Sequence, residues 1–187
     1  MGKREDILDA ALRIVSQDGI QSLTMAKIQD EAGVGSGTMY NYFDAKETLL
    51  RALYDDAMER MNGAVLAGYA RTGDIKADFD ELLRRFLNYS IEHFDQFNFT
   101  NQYAFFARTA VDSEDLENPA HIFGVSRQIL ASGQAQGLVK EVDFALLQRI
   151  VGGVIVAVAE SFYLGGFPPD DQLKTNVLAC CWDAVRR

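Results

Sequence analysis

The stretch Ala32-Gly33-Val34-Gly35-Ser36-Gly37-Thr38-Met39-Tyr40-Asn41-Tyr42-Phe43-Asp44-Ala45-Lys46-Glu47-Thr48-Leu49 decides how this chain folds. Gly33 can take the positive φ that closes one helix and turns the chain into the next. Ser36 to about Tyr42 then reads as a short helix, with Met39 and Phe43 at the inward spacing after Val34. Upstream, Thr24 is a good N-cap for another short helix through Ile28. Further back, Ile7, Leu8, Ala11, Leu12, Ile14 and Val15 recur at helical spacing until Asp18-Gly19 stops the pattern. A longer amphipathic helix followed by two short ones around a tight glycine turn is the layout of a helix-turn-helix bundle.

Downstream, Asp44 is placed to cap a fourth helix and Glu47 to complete a capping box. The stripe Leu49, Leu50, Leu53, Tyr54, Ala57, Met58 and Met61 carries that helix past residue 65. A fifth helix is expected over Ile75–Phe94 and a sixth over about Asn98–Val111, followed by the polar loop DSEDLEN. Asn118-Pro119 predicts the start of a seventh helix, which Gly137 ends. An eighth opens at Asp143, and a last one runs from Asp170 or Asp171 through Trp182. The apolar run from Phe144 to Leu164 is long enough to span a membrane, but Gln148, Arg149 and Glu160 interrupt it, and a helix buried on most sides is the expectation. Strand-like alternation is nowhere sustained, so the expected fold is all-α with about nine helices.

The chain has 187 residues, 48% hydrophobic and 24% charged, a composition that excludes disorder and can bury a core. Its net charge is −9, and residues 1–50 carry five Lys/Arg against eight Asp/Glu, which argues against non-specific wrapping of nucleic acid. Any DNA affinity must come from a few placed cations and backbone N–H groups. Charges in MGKREDILDA leave no room for a secretory signal, so a cytoplasmic location is expected. Cys180 and Cys181 are adjacent and read as buried thiols or a redox pair, while His93 and His121 lack ligand spacing. No metal or cofactor is expected. Neither a nucleophile motif nor a phosphate loop is present, which argues against an enzyme.

The quoted stretch closely resembles the signature of the TetR family of transcriptional regulators. With the amphipathic helix ending in Asp18-Gly19, Leu23-Thr24 and Ile28, the resemblance covers about residues 5–55. It implies a DNA-binding helix-turn-helix domain over residues 1–47 and, over 48–187, a helical domain that binds an effector and dimerises. Gly35, Ser36 and Gly37 lack bulk, so the start of the third helix can approach a phosphate or base edge. Thr38 and Tyr42 match positions whose hydroxyls meet the DNA backbone, and Tyr40 and Asn41 lie where side chains reach bases. Lys46 places a cation for phosphate. Thr24 is first a cap and second a phosphate contact, Lys27 is either a phosphate contact or a solvated lysine, and Lys3 and Arg4 are either a DNA-reaching arm or a disordered tail. Gly35 departs from the residues the family commonly has there.

Ten phenylalanines and tyrosines fall between residues 79 and 123; each by itself reads as plain core, and together with the resemblance they suggest an apolar effector pocket. Its candidate residues are Phe86, Tyr89, Ser90, Phe106 and Phe123, with Asn101, Gln102, Tyr103 and Arg108 to orient a small hydrophobic ligand. On the eighth helix Arg149, Gly152, Gly153, Val156, Glu160 and Tyr163 share a face, and with Trp182 nearby they are the candidate homodimer interface. Packing within one subunit is the rival for that face. The implied function is a repressor released from a near-palindromic operator by its effector. An activator, an effector-independent DNA-binding regulator and a small-molecule carrier with a vestigial helix-turn-helix stay open.

Overall fold

The apolar stripe of the first helix lands where its spacing puts it: Ile7, Ala10 and Ala11 have no exposed surface, and Leu8, Ile14 and Val15 are also buried. The computed structural model describes residues 2–106, 115, 117–168 and 170–187. Among them nine α-helices are found, with one isolated antiparallel bridge, Val139 to Arg186. Helix α1 spans Lys3–Asp18, so Lys3 and Arg4 belong to its first turn and are neither an arm nor a disordered tail. Their inclusion follows from Glu5, whose carboxylate accepts from the Gly2 N–H and completes the helix start.

A 3₁₀ turn, Ile20–Ser22, leads into α2 (Met25–Ala32), where Thr24 Oγ1 accepts from the Lys27 N–H at 3.3 Å. Gly33 adopts φ 62°, and the N–H groups of Gly33 and Val34 bond back to the carbonyls of Asp30 and Gln29. This paired closure satisfies the last carbonyls of α2 and aims the chain into α3 (Ser36–Tyr42). Helix α4 (Lys46–Leu66) starts differently from the expected capping box. Asp44 and Glu47 do not form it; Thr48 Oγ1 takes the Ala45 N–H at 3.1 Å and itself bonds Asp44 Oδ1. The helix starts at Lys46, one residue later than the expected box requires, so its third residue, which bonds back to the N–H ahead of the helix, is Thr48 and not Glu47.

Two compact units result, residues 1–60 with 95–110 and residues 61–94 with 111–187. In the first, Met39 and Phe43 complete the core begun by α1, together with Ile28, Leu49 and Leu53. Helix α6 (Phe94–Phe106) adds Phe99 and Tyr103 to that same core, the Tyr103 ring lying 5.0 Å from Tyr54. The expected start at Asn98 is four residues late. No glycine or proline interrupts residues 94–98, and Asp95 in the first turn suits a helix N-terminus. The expected end at Val111, residues 112–114 and 116 of the polar loop, Arg108 and the Phe106 side chain lie outside the described residues.

In the second unit α5 (Ile75–Glu92) is the central element, burying Ile75, Phe79, Leu82, Leu83 and Leu87. It also buries Asp78, which ties down the loop before it: Oδ1 accepts from Thr72 N–H at 2.7 Å and Thr72 Oγ1 at 2.8 Å, and Oδ2 from Gly73 N–H and Arg71 Nε. Desolvation raises the pKa of this carboxyl, but the bonds from Thr72, Gly73 and Arg71 outweigh it and hold the group below its usual range. Burial, with Asp78 adding to it, pushes the neighbouring Tyr69 phenol up to about 12.

Helix α7 (Ile122–Ala135) is capped by His121, whose Nδ1 accepts from the Phe123 N–H, and not by Asn118. Asn118 Oδ1 instead accepts from Ala120 N–H, so Asn118-Pro119 makes a turn ahead of the helix. Burial lowers the His121 pKa against the opposing pull of Asp115, which favours the neutral ring this cap requires. Gly137 closes α7 at φ 70°, as expected. Gly133 lets the helix approach its neighbours closely, since a Cβ there would lie 2.5 Å from Val139 Cγ2.

Helices α8 (Phe144–Tyr163) and α9 (Asp171–Val185) start at Asp143 and Asp170, whose side chains accept from the N–H groups of Ala145 and Leu173. Helix α8 is not buried on most sides. Only Leu147, Ile155 and Ala159 are buried, whereas Leu146, Ile150, Gly153, Ala157 and Glu160 are exposed. Its apolarity therefore serves two faces, of which the single chain covers one. On α9 Cys181 is buried, its thiol pushed up to about 11 mainly by desolvation, while Cys180 is exposed; neither forms a disulfide.

Candidate DNA-reading face and regulatory cavity

Helix α3 presents its two sides unequally. Met39 is fully buried, whereas Tyr40 is 54% and Tyr42 48% exposed, and Ser36, Gly37 and Asn41 are exposed as well. Thr38 is half-buried. Gly35 is the exposed N-cap of the helix and Ser36 Oγ reaches Gln29 Oε1 at 3.5 Å, tying α3 to α2. The expected reading residues therefore sit together on one open face, where hydroxyls, an amide and ring edges can meet base edges and phosphates without steric obstruction.

The cations beside this face are partly engaged. Lys27 is exposed and lies 3.6 Å from Asp18, and the half-buried Lys46 donates from Nζ to the Ile20 carbonyl at 3.4 Å. Both contacts are long and leave donors free for phosphate. The Arg4 guanidinium lies 5.9 Å from the centre of the Phe43 ring, a position for a cation that the sequence left open. Gly37 stands inside α3, and a methyl group added to it would meet nothing within 4 Å. Gly37→Ala should therefore raise the stability of the chain by about 0.5–1 kcal/mol in thermal melts. A loss instead would mean that the position needs glycine for its backbone.

The second unit contains a cavity of about 70 Å³ between α5, α7 and α8. Phe79, Leu83 and Phe86 form one wall, Phe123 and Ile129 another, and Val151 and Gly152 a third. Of the expected effector residues it brings together Phe86 and Phe123. Tyr89 is buried elsewhere on α5 against His93, and the fully buried Ser90 spends its hydroxyl on the Phe86 carbonyl. Asn101 and Gln102 lie on α6, where Asn101 Nδ2 donates to the Phe97 carbonyl, and Tyr103 is core of the first unit. Among the described residues, Ser126 and Gln148 are the polar ones lining the cavity. The sequence signalled Gln148 only as an interruption of an apolar helix. Among the described residues no group of three His, Cys, Asp or Glu is placed to hold a metal.

The sequence profile described as bacterial regulatory proteins, tetR family, matches residues 7–53, and that of the tetracyclin repressor-like C-terminal domain matches residues 54–187. The chain belongs to the TetR family. Its matches include the transcriptional repressor KstR2 of Rhodococcus jostii, 31% identical over 80 residues, 41% of this chain and 39% of that protein. The regulator BetI of Brucella anthropi is 26% identical over 121 residues, 65% of this chain and 61% of the relative. The aligned stretches thus span less than two thirds of these relatives. Solved TetR-family structures extend the likeness across the whole chain. One from Vibrio parahaemolyticus has TM-score 0.79 and 26% identity, covering 100% of this chain and 99% of that one. One from Marinobacter aquaeolei has TM-score 0.85 and 23% identity, covering 98% and 95%.

In this TetR-family regulator the residues expected at a dimer face divide. Arg149, Gly153, Glu160 and Tyr163 are exposed, and Val156 is half-buried. Gly152 borders the cavity. Trp182 is engaged within the subunit, 5.3 Å from the Phe79 ring and beneath Lys76 Nζ, and Tyr163 stacks on Phe94 at 4.2 Å. Leu146 and Ile150 extend the exposed apolar face beyond the residues the sequence singled out.

Proposed function

We propose that this regulator is a repressor that holds a near-palindromic operator as a homodimer and is released by a small hydrophobic effector. The observation that carries the reading is the open polar face of α3, backed by Met39 in the core. Residues 1–47 read DNA, and residues 48–187 bind effector and dimerise. The exposed apolar face of α8 supports self-association, because a soluble chain covers such a face with a partner. The name of the repressor KstR2 favours repression over activation. A DNA-bound protein of this kind works in the cytoplasm.

A path for the switch also exists. Phe123 and Ile122 border the cavity at the start of α7, and the Ile122 N–H donates to Asn62 Oδ1 on α4 at 3.0 Å. Helix α4 continues without a break back to Lys46. A ligand that shifts the start of α7 therefore pulls on the helix whose other end bears a phosphate-seeking cation. Linkage requires effector and operator to weaken each other by the same factor, a coupling of about 1–3 kcal/mol.

The test starts with selection of a binding site from random DNA. Lys46→Ala should then weaken binding to every sequence and lower the salt slope by roughly one unit, while Asn41→Ala or Tyr40→Ala should lose ~1–3 kcal/mol at one base position. Three variants with wild-type affinity would refute α3 as the reader.

A further inference from the structure

The cavity between α5, α7 and α8 has a chemical asymmetry that its size alone does not convey. Of the twelve described residues that line it, ten are apolar or glycine, and none is charged. Its polar members are Ser126 and Gln148. The Nε2 atom of Gln148 is buried and has no hydrogen-bond partner. A buried amide N–H without a partner is costly, and native proteins keep such groups where a ligand, ion or ordered water completes them. A lone water there would have two described side chains to bond, Ser126 and Gln148, the lower end of the two to four partners that hold a buried water, and would leave the apolar walls unfilled. Gly152 adds a second feature: a Cβ at this position would meet nothing within 4 Å, so the α8 wall is recessed beside the residue four positions from Gln148.

We propose that the cavity takes a compact, uncharged, apolar molecule bearing one hydrogen-bond acceptor oxygen, and that the Gln148 amide donates to that oxygen. The inference rests on reading the cavity as the effector site and goes further by stating the ligand's class. An anion is disfavoured because none of the described lining residues is a cation that would offset its desolvation. A pure hydrocarbon leaves the Gln148 amide unpaired. A ketone, ester or amide carbonyl on an aliphatic or aromatic body satisfies both the apolar walls and the donor.

The probes are cyclohexanone, its isostere methylenecyclohexane and cyclohexanecarboxylate, titrated into the full-length protein by calorimetry and thermal shift. Cyclohexanone should bind roughly five- to tenfold more tightly than methylenecyclohexane, the factor expected of one hydrogen bond to a neutral donor. Gln148→Met, which keeps volume and removes the donor, should bring that ratio to about one, and Gly152→Val should weaken both by filling the recess. Should Gln148→Met fail to fold, the wild-type ratio still decides, with a shift of the Gln148 side-chain amide resonance on ketone binding as the second readout. Equal binding of ketone and alkene, or a ratio that Gln148→Met leaves intact, overturns the hydrogen-bond assignment while the cavity remains the effector site. Tighter binding of the carboxylate overturns the uncharged class. If no probe binds at millimolar concentration, or Gly152→Val changes nothing, the cavity is not the effector site and the inference falls with it.

Discussion

Asp78→Ala is expected to cost about 3–5 kcal/mol of unfolding free energy, because it leaves Arg71 and three loop donors without the buried acceptor that collects them. Asp78 is 1% exposed, and its two oxygens accept four hydrogen bonds from residues 71–73 ahead of α5. Asp78→Asn keeps the volume but offers one acceptor oxygen, so it should fall between wild type and alanine. The same group sets an acid limit. Its folded pKa is depressed below the ordinary 3.8, so its stabilisation is complete above that value and is lost as pH falls from there through the folded pKa. Urea melts between pH 6 and pH 3 should show wild type losing more stability than Asp78→Asn over that interval. A loss below 1 kcal/mol for Asp78→Ala at neutral pH would show that the loop is held by other contacts.

If the chain dimerises through α8 as proposed, Gly153→Leu is expected to convert that dimer to monomer or aggregate, raising its dissociation constant by at least about tenfold. The site is informative because a Cβ at Gly153 meets nothing within 4 Å inside its own chain. The side chain therefore starts in open space on the protomer, and an unchanged unfolding transition would assign any loss of association to the partner face. In a two-fold interface the insertion occurs twice, and overpacking costs about 1–3 kcal/mol each time. Operator affinity should fall in parallel, since two recognition helices must meet grooves about 34–36 Å apart. Light scattering and gel shift on the same samples check both. A wild-type monomer at micromolar concentration would remove the dimer reading, and an intact Gly153→Leu dimer would place its interface elsewhere.

The parts of the fold that were legible in the sequence are those whose signals are local. The α1 stripe, the Thr24 cap, the Gly33 closure and the inward spacing of Met39 and Phe43 depend on residues within a turn or two of one another, and all appear as expected. Where two residues compete for one local role, the signal weakened. Thr48 displaced Glu47 at the start of α4, and His121 displaced Asn118 at the start of α7, because which side chain reaches the free N–H depends on where the backbone turns.

By itself, then, the sequence determined the all-α class, the helix-turn-helix and the residues on its outward face, since a motif of contiguous residues carries its own geometry. Tertiary structure alone decided what the aromatic residues do. The run from Phe79 to Phe123 reads as one cluster along the chain, yet it is divided: Phe99 and Tyr103 enter the core around α1, while Phe79, Phe86 and Phe123 line a cavity with Gln148 from a helix further along. On α8 the sequence singled out a face from Arg149 to Tyr163 but expected burial on most sides, and it did not show that Leu146 and Ile150 stay exposed beside that face. Burial depends on which neighbours the chain folds against each face, and those neighbours lie tens of residues away.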